Sequence, residues 1–458
     1  MPEPADLIPR VVDMSSELDR RIKRYRQLEQ YVDPDGAPIP PAIARAQVTQ
    51  AYRMLMQFAQ TNYARLIVRA ATSRLEVGGV RSGAPAADRA VWGHWQENRL
   101  DADSRLAHDT ALTHGRAFAI VWPNGETPTI TIEPPTTTIV EYVEGSRHER
   151  AAGLRRWMGD DKRPHATLYT PAGVFKFSGP RNSSGSAGTR WEPRLVEGEP
   201  WPLEPLAGGV VPVVEIAANR RLVTSKYGHA EGDFENVLGL LDRINVLEFL
   251  RLVIGFTSGF PIRAVIGDRI LRDDTGKPIA PFKLAADVIA QFENPDVKLT
   301  ELKATDLKGF GDAIDRDVET LAGITQTPSY YLRSLPIQNV SVDAIRAAEM
   351  PLTTRVADHR PQLGEGWEET LRVSGQLAET PAVLDARAEL SWVNREARTL
   401  SERADAAVKL AAVMPWPAVA ELVFDATDDE LNRWEAMRAS DTLGGLLKLA
   451  GVLEGPMG

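Results

Sequence analysis

The chain has 458 residues, 43% of them apolar and 25% charged, with no cysteine and a formal net charge of −10 at pH 7. That length allows roughly two to four domains and a sizeable core; the lack of cysteine excludes disulfides, thiolate metal sites and cysteine nucleophiles. The acidic balance argues against a dedicated nucleic-acid clamp, which is normally basic, but not against a protein past which DNA slides without being gripped.

No segment reads as an export signal or a membrane span. The first residues, MPEPADLIPRVVDM, lack a basic stretch followed by an apolar one. The most apolar run, residues 246–256 (VLEFLRLVIGF), is too short for a bilayer and carries Glu248 and Arg251. Residues 16–30, rich in Arg, Leu and Tyr, predict a helix stopped by the turn DPDGAP at 33–38. Residues 43–73 predict one long helix whose apolar positions, from Tyr52 through Met56, Tyr63 and Ile67 to Ala70, form a single stripe. Next come a strand at 77–80, a helix at 86–99 with Trp92 and Trp95 on one face, and a helix ending at His114 with Asp101 or Asp103 as its cap. Gly115 stops that helix and feeds an apolar strand at 117–122.

Residues 129–132, 138–143, 152–158, 165–170 and 174–178 are short apolar or alternating runs separated by Gly, Pro or charged turns, the pattern of a meandering antiparallel sheet. RNSSGSAGT at 181–189 is a low-complexity surface loop, and a strand is expected at 211–216. Phe234, Val237, Leu241, Ile244, Leu247, Leu250 and Ile254 then recur at three- and four-residue intervals. They predict a helix over 233–258, about 39 Å long at about 1.5 Å per residue. Its second half is apolar nearly all round, which suits a helix packed between neighbouring subunits. Residues 262–302 predict a compact insert with two strands, 310–324 a second helix, and 341 the start of a long helix interrupted at Pro351 and Pro361. A strand at 388–393, a helix at 401–413 and a last helix capped by Thr427 with Glu430 complete the reading.

The search for catalytic chemistry is negative. No GxxxxGK[ST] loop exists, and GFGD at 309–312 follows no strand and lacks a third glycine, so it reads as a helix start. His108 and His114 lie six apart, off one helical face, and HExxH is absent. Asp101 with Asp103, and Asp315 with Asp317, have the chemistry to hold Mg²⁺, but helix caps and solvated faces explain such pairs more simply. Gly185-Ser186 lacks the GxSxG elbow of a serine hydrolase. The ten tryptophans are scattered beside apolar runs, as core and interface anchors are, and do not form a base-stacking platform.

Several strings nevertheless stand in an order that resembles the portal proteins of tailed phages, those of actinobacterial phages in particular, related to the siphophage portal family. They are Tyr25 and Tyr31 ahead of a turn with Gly36; Trp92, Trp95, Asn98 and Asp101; HGRAFAIVW at 114–122; IEPP at 132–135; the long helix with its insert; ITQTPSYYL at 324–332; and ADAAVKL at 404–410. The resemblance covers nearly the whole chain. It implies a mixed α+β, mainly helical portal fold that assembles as a ring, dodecameric in the virion. Its parts would be a wing (1–225), first stem helix (226–260), clip (261–305), second stem helix (306–332), tunnel loop (333–341), bent helix returning to the wing (342–398) and crown (399–458). The implied function is a channel at one capsid vertex for DNA packaging and ejection, with no catalysis, cofactor or metal.

The implied partners are further copies of the chain, double-stranded DNA passing without sequence specificity, the terminase large subunit, the head–tail adaptor, the major capsid protein and a scaffolding protein. No membrane is involved; the location is the virion, and the host cytoplasm during assembly. Asp242, Glu248, Asp312, Asp315 and Glu319 would line the channel. Pro336, Gln338, Asn339 and Ser341 would belong to the tunnel loop, whose SLPIQNVS lacks the Gly that similar proteins often carry. Arg269, Arg272, Asp273 and Lys277 would form the docking surface of the clip.

Charge supports this mechanism separately. Residues 296–319 hold seven acids against four bases, and 233–258 hold four acids against two. A ring of such helices presents a negative wall that repels phosphates, so DNA moves without sticking. The alternatives are a metal-dependent nuclease using the Asp pairs, and another structural head–tail connector; chain length and the helix–insert–helix pattern argue against the second.

Overall fold

The computed structural model describes residues 4–33, 50–82, 84–258, 263–266, 298–301, 306–333, 341–382, 384, 387–393, 400–424, 426, 430–431 and 433–440. Helix α1 (Pro4–Val32) starts well ahead of residue 16, because Leu7, Val11, Met14 and Leu18 extend its apolar stripe and are buried. The single helix expected over 43–73 is instead two, α2 (Gln50–Phe58) and α3 (Tyr63–Thr72), with 43–49 outside the described residues. The break falls on Gln60, Thr61 and Asn62. Asn62 takes φ 52°, and Thr61 donates both its backbone N–H and its hydroxyl to Asn245 Oδ1 at 3.2 and 2.9 Å. The apolar stripe runs on across the break, so periodicity conceals it; the polar side chains make it.

Strand β1 (Val77–Arg81) and helices α4 (Pro85–Glu97) and α5 (Leu100–His114) follow. Neither Asp101 nor Asp103 caps α5. Both lie in its first turn, Arg99 holds the N-cap position in left-handed conformation, and Asp101 accepts from Trp95 Nε1 at 2.8 Å. Gly115 ends α5 at φ 91°, and a Cβ there would stand 2.5 Å from the Ala230 carbonyl. The glycine is required twice, by the helix stop and by the chain crossing it.

The next strands are β2 (Arg116–Trp122), β3 (Thr129–Glu133), β4 (Thr138–Tyr142), β5 (Arg150–Met158), β6 (Pro164–Thr170), β7 (Gly173–Ser178), β8 (Glu192–Pro193) and β9 (Val213–Ala217). All pair antiparallel, but in two sheets, where a single meander was expected: β3-β2-β9, and β4 to β8 in sequence order. Burial on both faces of β2 is the cause. Ala117, Ala119 and Val121 join Val214 and Ile216 in a helix-covered core, while Phe118 and Ile120 meet Val140, Tyr142, Tyr169 and Val174 of the five-stranded sheet. The far face of that sheet, with Leu154, Leu168, Phe175 and Phe177, packs on Leu7, Val11, Met14 and Leu18 of α1. The layers therefore run helix, sheet, sheet, helix, and β2 is apolar without alternation because neither face meets water.

A short hairpin, β10 (Arg220–Arg221) with β11 (His229–Ala230), precedes a 3-10 turn at Glu235–Val237 and helix α6 (Leu238–Ser258). β12 (Arg263–Ile266) pairs antiparallel with β13 (Lys298–Glu301), so the insert leaves and returns at one place. Then come α7 (Lys308–Ile324), α8 (Ser329–Leu332) and α9 (Val342–Leu377). α9 corrects the expected interruptions: it is one helix of 36 residues with Pro351 and Pro361 inside it. Leu352, Val356, Leu363, Trp367 and Leu371 bury along its length, and this packing outweighs the hydrogen bond that each proline removes. β14 (Glu389–Trp392) returns to pair with β1, followed by α10 (Leu400–Leu410) and α11 (Trp416–Phe424). Thr427 lies outside the described residues. The fold is mixed α+β, and no helix among the described residues is long and apolar enough to cross a membrane.

Candidate functional site

The helices flanking the insert, α6 and α7, pack side by side through Leu241, Ile244, Ile314, Val318 and Leu321. Across their seam, Arg243 Nε and Nη2 donate to the two carboxylate oxygens of Asp317 at 2.7 and 2.6 Å, a fork-to-fork contact. On the outer side of α7, Asp312, Asp315 and Glu319 are spaced along one helical stripe and are all exposed. Arg333, just past α8, bonds Asp315 at 3.0 Å and Glu319 at 2.6 Å. Asp242 of α6 accepts from the Tyr31 hydroxyl at 2.8 Å; burial first, and this carboxylate second, raise the phenol's pKa. Glu248 pairs with Arg251 one turn on, at 2.7 Å. Ser341 caps α9, its hydroxyl accepting from the Ala344 N–H at 3.2 Å. Pro336, Gln338 and Asn339, and the insert residues Arg269, Arg272, Asp273 and Lys277, lie outside the described residues.

A buried polar cluster sits at the root of these helices. Asp233 is held by Asn219 Nδ2 at 2.7 Å, His359 Nε2 at 3.1 Å and Arg355 Nε at 3.8 Å. Desolvation pushes the Asp233 pKa up, but His359, Arg355 and Asn219 outweigh it and keep the group below the usual carboxylate range. Arg355 also donates to the carbonyl of Ile67 at 2.9 Å, to Thr327 Oγ1 at 3.2 Å and to the carbonyl of Thr325. One turn of α9 thereby pins the approach to α6, the end of α7 and the middle of α3. Sequence reasoning counted Asp233 only as an acid, because nothing in its spacing points to a histidine 126 residues away.

Three of the four carboxylates in the candidate metal pairs have other partners: Asp101 accepts from Trp95, and Asp315 and Asp317 bond different arginines. No group of three or more metal-ligating side chains occurs among the described residues. His108 is fully buried; its Nδ1 donates to the Leu75 carbonyl at 3.2 Å and its Nε2 accepts from Trp367 Nε1 at 2.9 Å. Burial pushes its pKa down to about 4.

Residues 14–442 match the family of phage portal proteins described as SPP1 Gp6-like. The chain belongs to that family. The portal protein of Mycobacterium phage D29 is 30% identical over 426 residues, covering 87% of this chain and 83% of that protein. The portal protein of Mycobacterium phage L5 is 28% identical over 439 residues, covering 90% and 85%. Among solved structures, a chain in the virion of a native gene transfer agent particle aligns at TM-score 0.39 and 14% identity, covering 83% of this chain and 96% of that one. A chain in the neck of an empty particle of the same kind gives 0.40 and 14%, covering 84% and 97%.

As a portal protein, this chain is a structural component of a bacteriophage virion. The strings that suggested the family take structural roles. HGRAFAIVW holds the end of α5 and all of β2, the strand shared by both cores. ITQTPSYYL spans the end of α7 and α8, and its Thr325 and Thr327 are the groups that Arg355 grips.

Proposed function

We propose that the chain closes into a homo-oligomeric ring, of twelve copies in the virion, around a channel through which double-stranded DNA is packaged and ejected. The observation that carries this reading is the α6–α7 pair. It is clamped by Arg243 and Asp317 and shows an exposed stripe of Asp312, Asp315 and Glu319, with β12 and β13 closing the insert between the two helices. In this reading 226–260 and 306–332 are the stem, 261–305 the clip that docks the terminase large subunit and then the head–tail adaptor, and 333–341 the tunnel loop. Residues 1–225 and 342–398 form the wing, facing the major capsid protein and scaffold, and 399–458 the crown. Assembly takes place in the host cytoplasm. The protein works as a conduit and docking ring, not as an enzyme.

Arg333 refines the electrostatic argument. It offsets part of the charge on Asp315 and Glu319, so the wall facing DNA is less acidic than the tally of residues implies. Negative-stain electron microscopy of the purified chain tests the proposal. Rings with a central hole wide enough for a B-form duplex, roughly 20 Å, are the expected result. Uniform monomers at every concentration would overturn it.

A further inference from the structure

We propose that the β10–β11 hairpin and the cleft beside it form a docking socket for an acidic, apolar-flanked peptide segment of another protein. The cleft, about 330 Å³, lies between the hairpin and the turn joining β4 to β5, the size of a site for a small group or a few side-chain atoms. Glu215 and Tyr142 line it and are buried, and Glu215 already has a counter-charge in Arg116 at 2.6 Å. The other charged lining groups are mostly basic. Arg220 touches Glu215 at 3.4 Å, Arg221 pairs with Glu231 at 2.6 Å, and Arg147 has no ion pair among the described residues. Of the residues lining the cleft itself, three are arginines (147, 220, 221) and one is a carboxylate (Glu215), a basic lining in a chain whose net charge is −10; Glu144 and Glu149 stand outside that lining. A concave site of that sign concentrates an anion.

Apolar surface next to the arginines narrows the class of anion. Leu222 is 77% exposed and Val223 37%, too little for a folded-domain interface but enough for one or two apolar side chains of a peptide. A nucleic acid would want a continuous basic track. Exposed Glu144 and Glu149 on the β4–β5 turn interrupt any such track. A carboxylate seated among the arginines, with a neighbouring apolar side chain on Leu222 and Val223, satisfies both halves of the surface.

The test is fluorescence polarisation of the full chain with a labelled peptide EELLEE, its counterparts KKLLKK and EESSEE, a labelled DNA duplex, and inorganic phosphate as competitor. EELLEE should bind and KKLLKK should not. Arg147→Glu with Arg221→Glu should weaken binding about tenfold or more, and Leu222→Ser by several-fold. All three positions are exposed, and the Arg221–Glu231 pair that is lost is a surface one, so thermal melting should change little. Absence of EELLEE binding overturns the proposal. Equal binding of EESSEE, or displacement by phosphate alone, makes it a small-anion site; preferential binding of the duplex through the same arginines makes it a nucleic-acid surface. Loss of rings in the double variant assigns the surface to a second copy of the chain. Wild-type rings without peptide binding would end this proposal and leave ring assembly standing.

Discussion

Glu215→Gln isolates the buried charge pair that joins Arg116 of β2 to Glu215 of β9, neighbouring strands of the three-stranded sheet. The substitution keeps the side chain's shape and an acceptor for the Tyr142 hydroxyl, 2.8 Å away, while it removes the charge and turns the oxygen that faces Arg116 into an amide NH2. Arg116, with 3% of its side chain exposed, then keeps its bond to the Tyr227 carbonyl at 3.1 Å but loses its counter-charge. Leaving one partner of a buried pair uncompensated costs about 3–5 kcal/mol. For a cooperative unit of this length the unfolding entropy is on the order of 1 kcal/mol/K, so the melting temperature should fall by about 3–5 °C. Arg116→Met with Glu215→Gln should regain more than half of that loss, since no buried charge remains. A single variant within about 1 °C of wild type, or a double variant melting below the single, would refute the reasoning. Burial raises the Glu215 pKa, but Arg116, Arg220 and the Tyr142 hydroxyl together lower it further, to below its ordinary 4.5. Its contribution is therefore complete above pH 4.5 and is lost as the pH falls through the folded-state value. Glu215→Gln should flatten that part of the acid-unfolding curve.

Gly366→Ala should destabilise by about 1–3 kcal/mol in urea melts through overpacking, because a Cβ on α9 would stand 2.8 Å from the Glu215 carbonyl oxygen and 2.9 Å from Ile216 Cα. Gly311→Ala in α7, where a Cβ meets nothing within 4 Å, should stabilise by about 0.5–1 kcal/mol. His108, neutral and buried with its pKa depressed to about 4, contributes stability that is complete above its ordinary 6.5 and is lost progressively between 6.5 and about 4. NMR should find it as the Nδ1–H tautomer down to that range, and a charged His108 at pH 6 would contradict the burial argument. Arg243→Ala, Asp317→Ala and the double variant should lower the urea midpoint by similar amounts, because either single change already breaks the α6–α7 clamp. Additive losses would show the two residues acting independently.

What the sequence discloses about this portal protein divides along physical lines. The short strands β2 to β7 and β9, the α5 stop at Gly115 and the period of α6 are local, set by residues a few positions apart, and all were legible within a residue or a few; the two-residue β8 carries no such signal. The unbroken α9 was not, because a proline's local penalty is visible in the chain while the packing of Val356 and Trp367 that offsets it is not. The split between two sheets was hidden for a related reason: β2 announces burial on both faces, but not what covers each face. Charge was the least legible property. Counting acids treats Asp317 and Asp315 alike, yet the fold folds Asp317 into the seam against Arg243 and leaves Asp315 outside, shared with Glu319 by Arg333. Partners 74 and 18 positions away decide which carboxylates are left exposed on the proposed channel wall. The field along the proposed channel is therefore a property of the folded pair α6–α7, and the acid that can act most freely on it is Asp312, not the clamped Asp317.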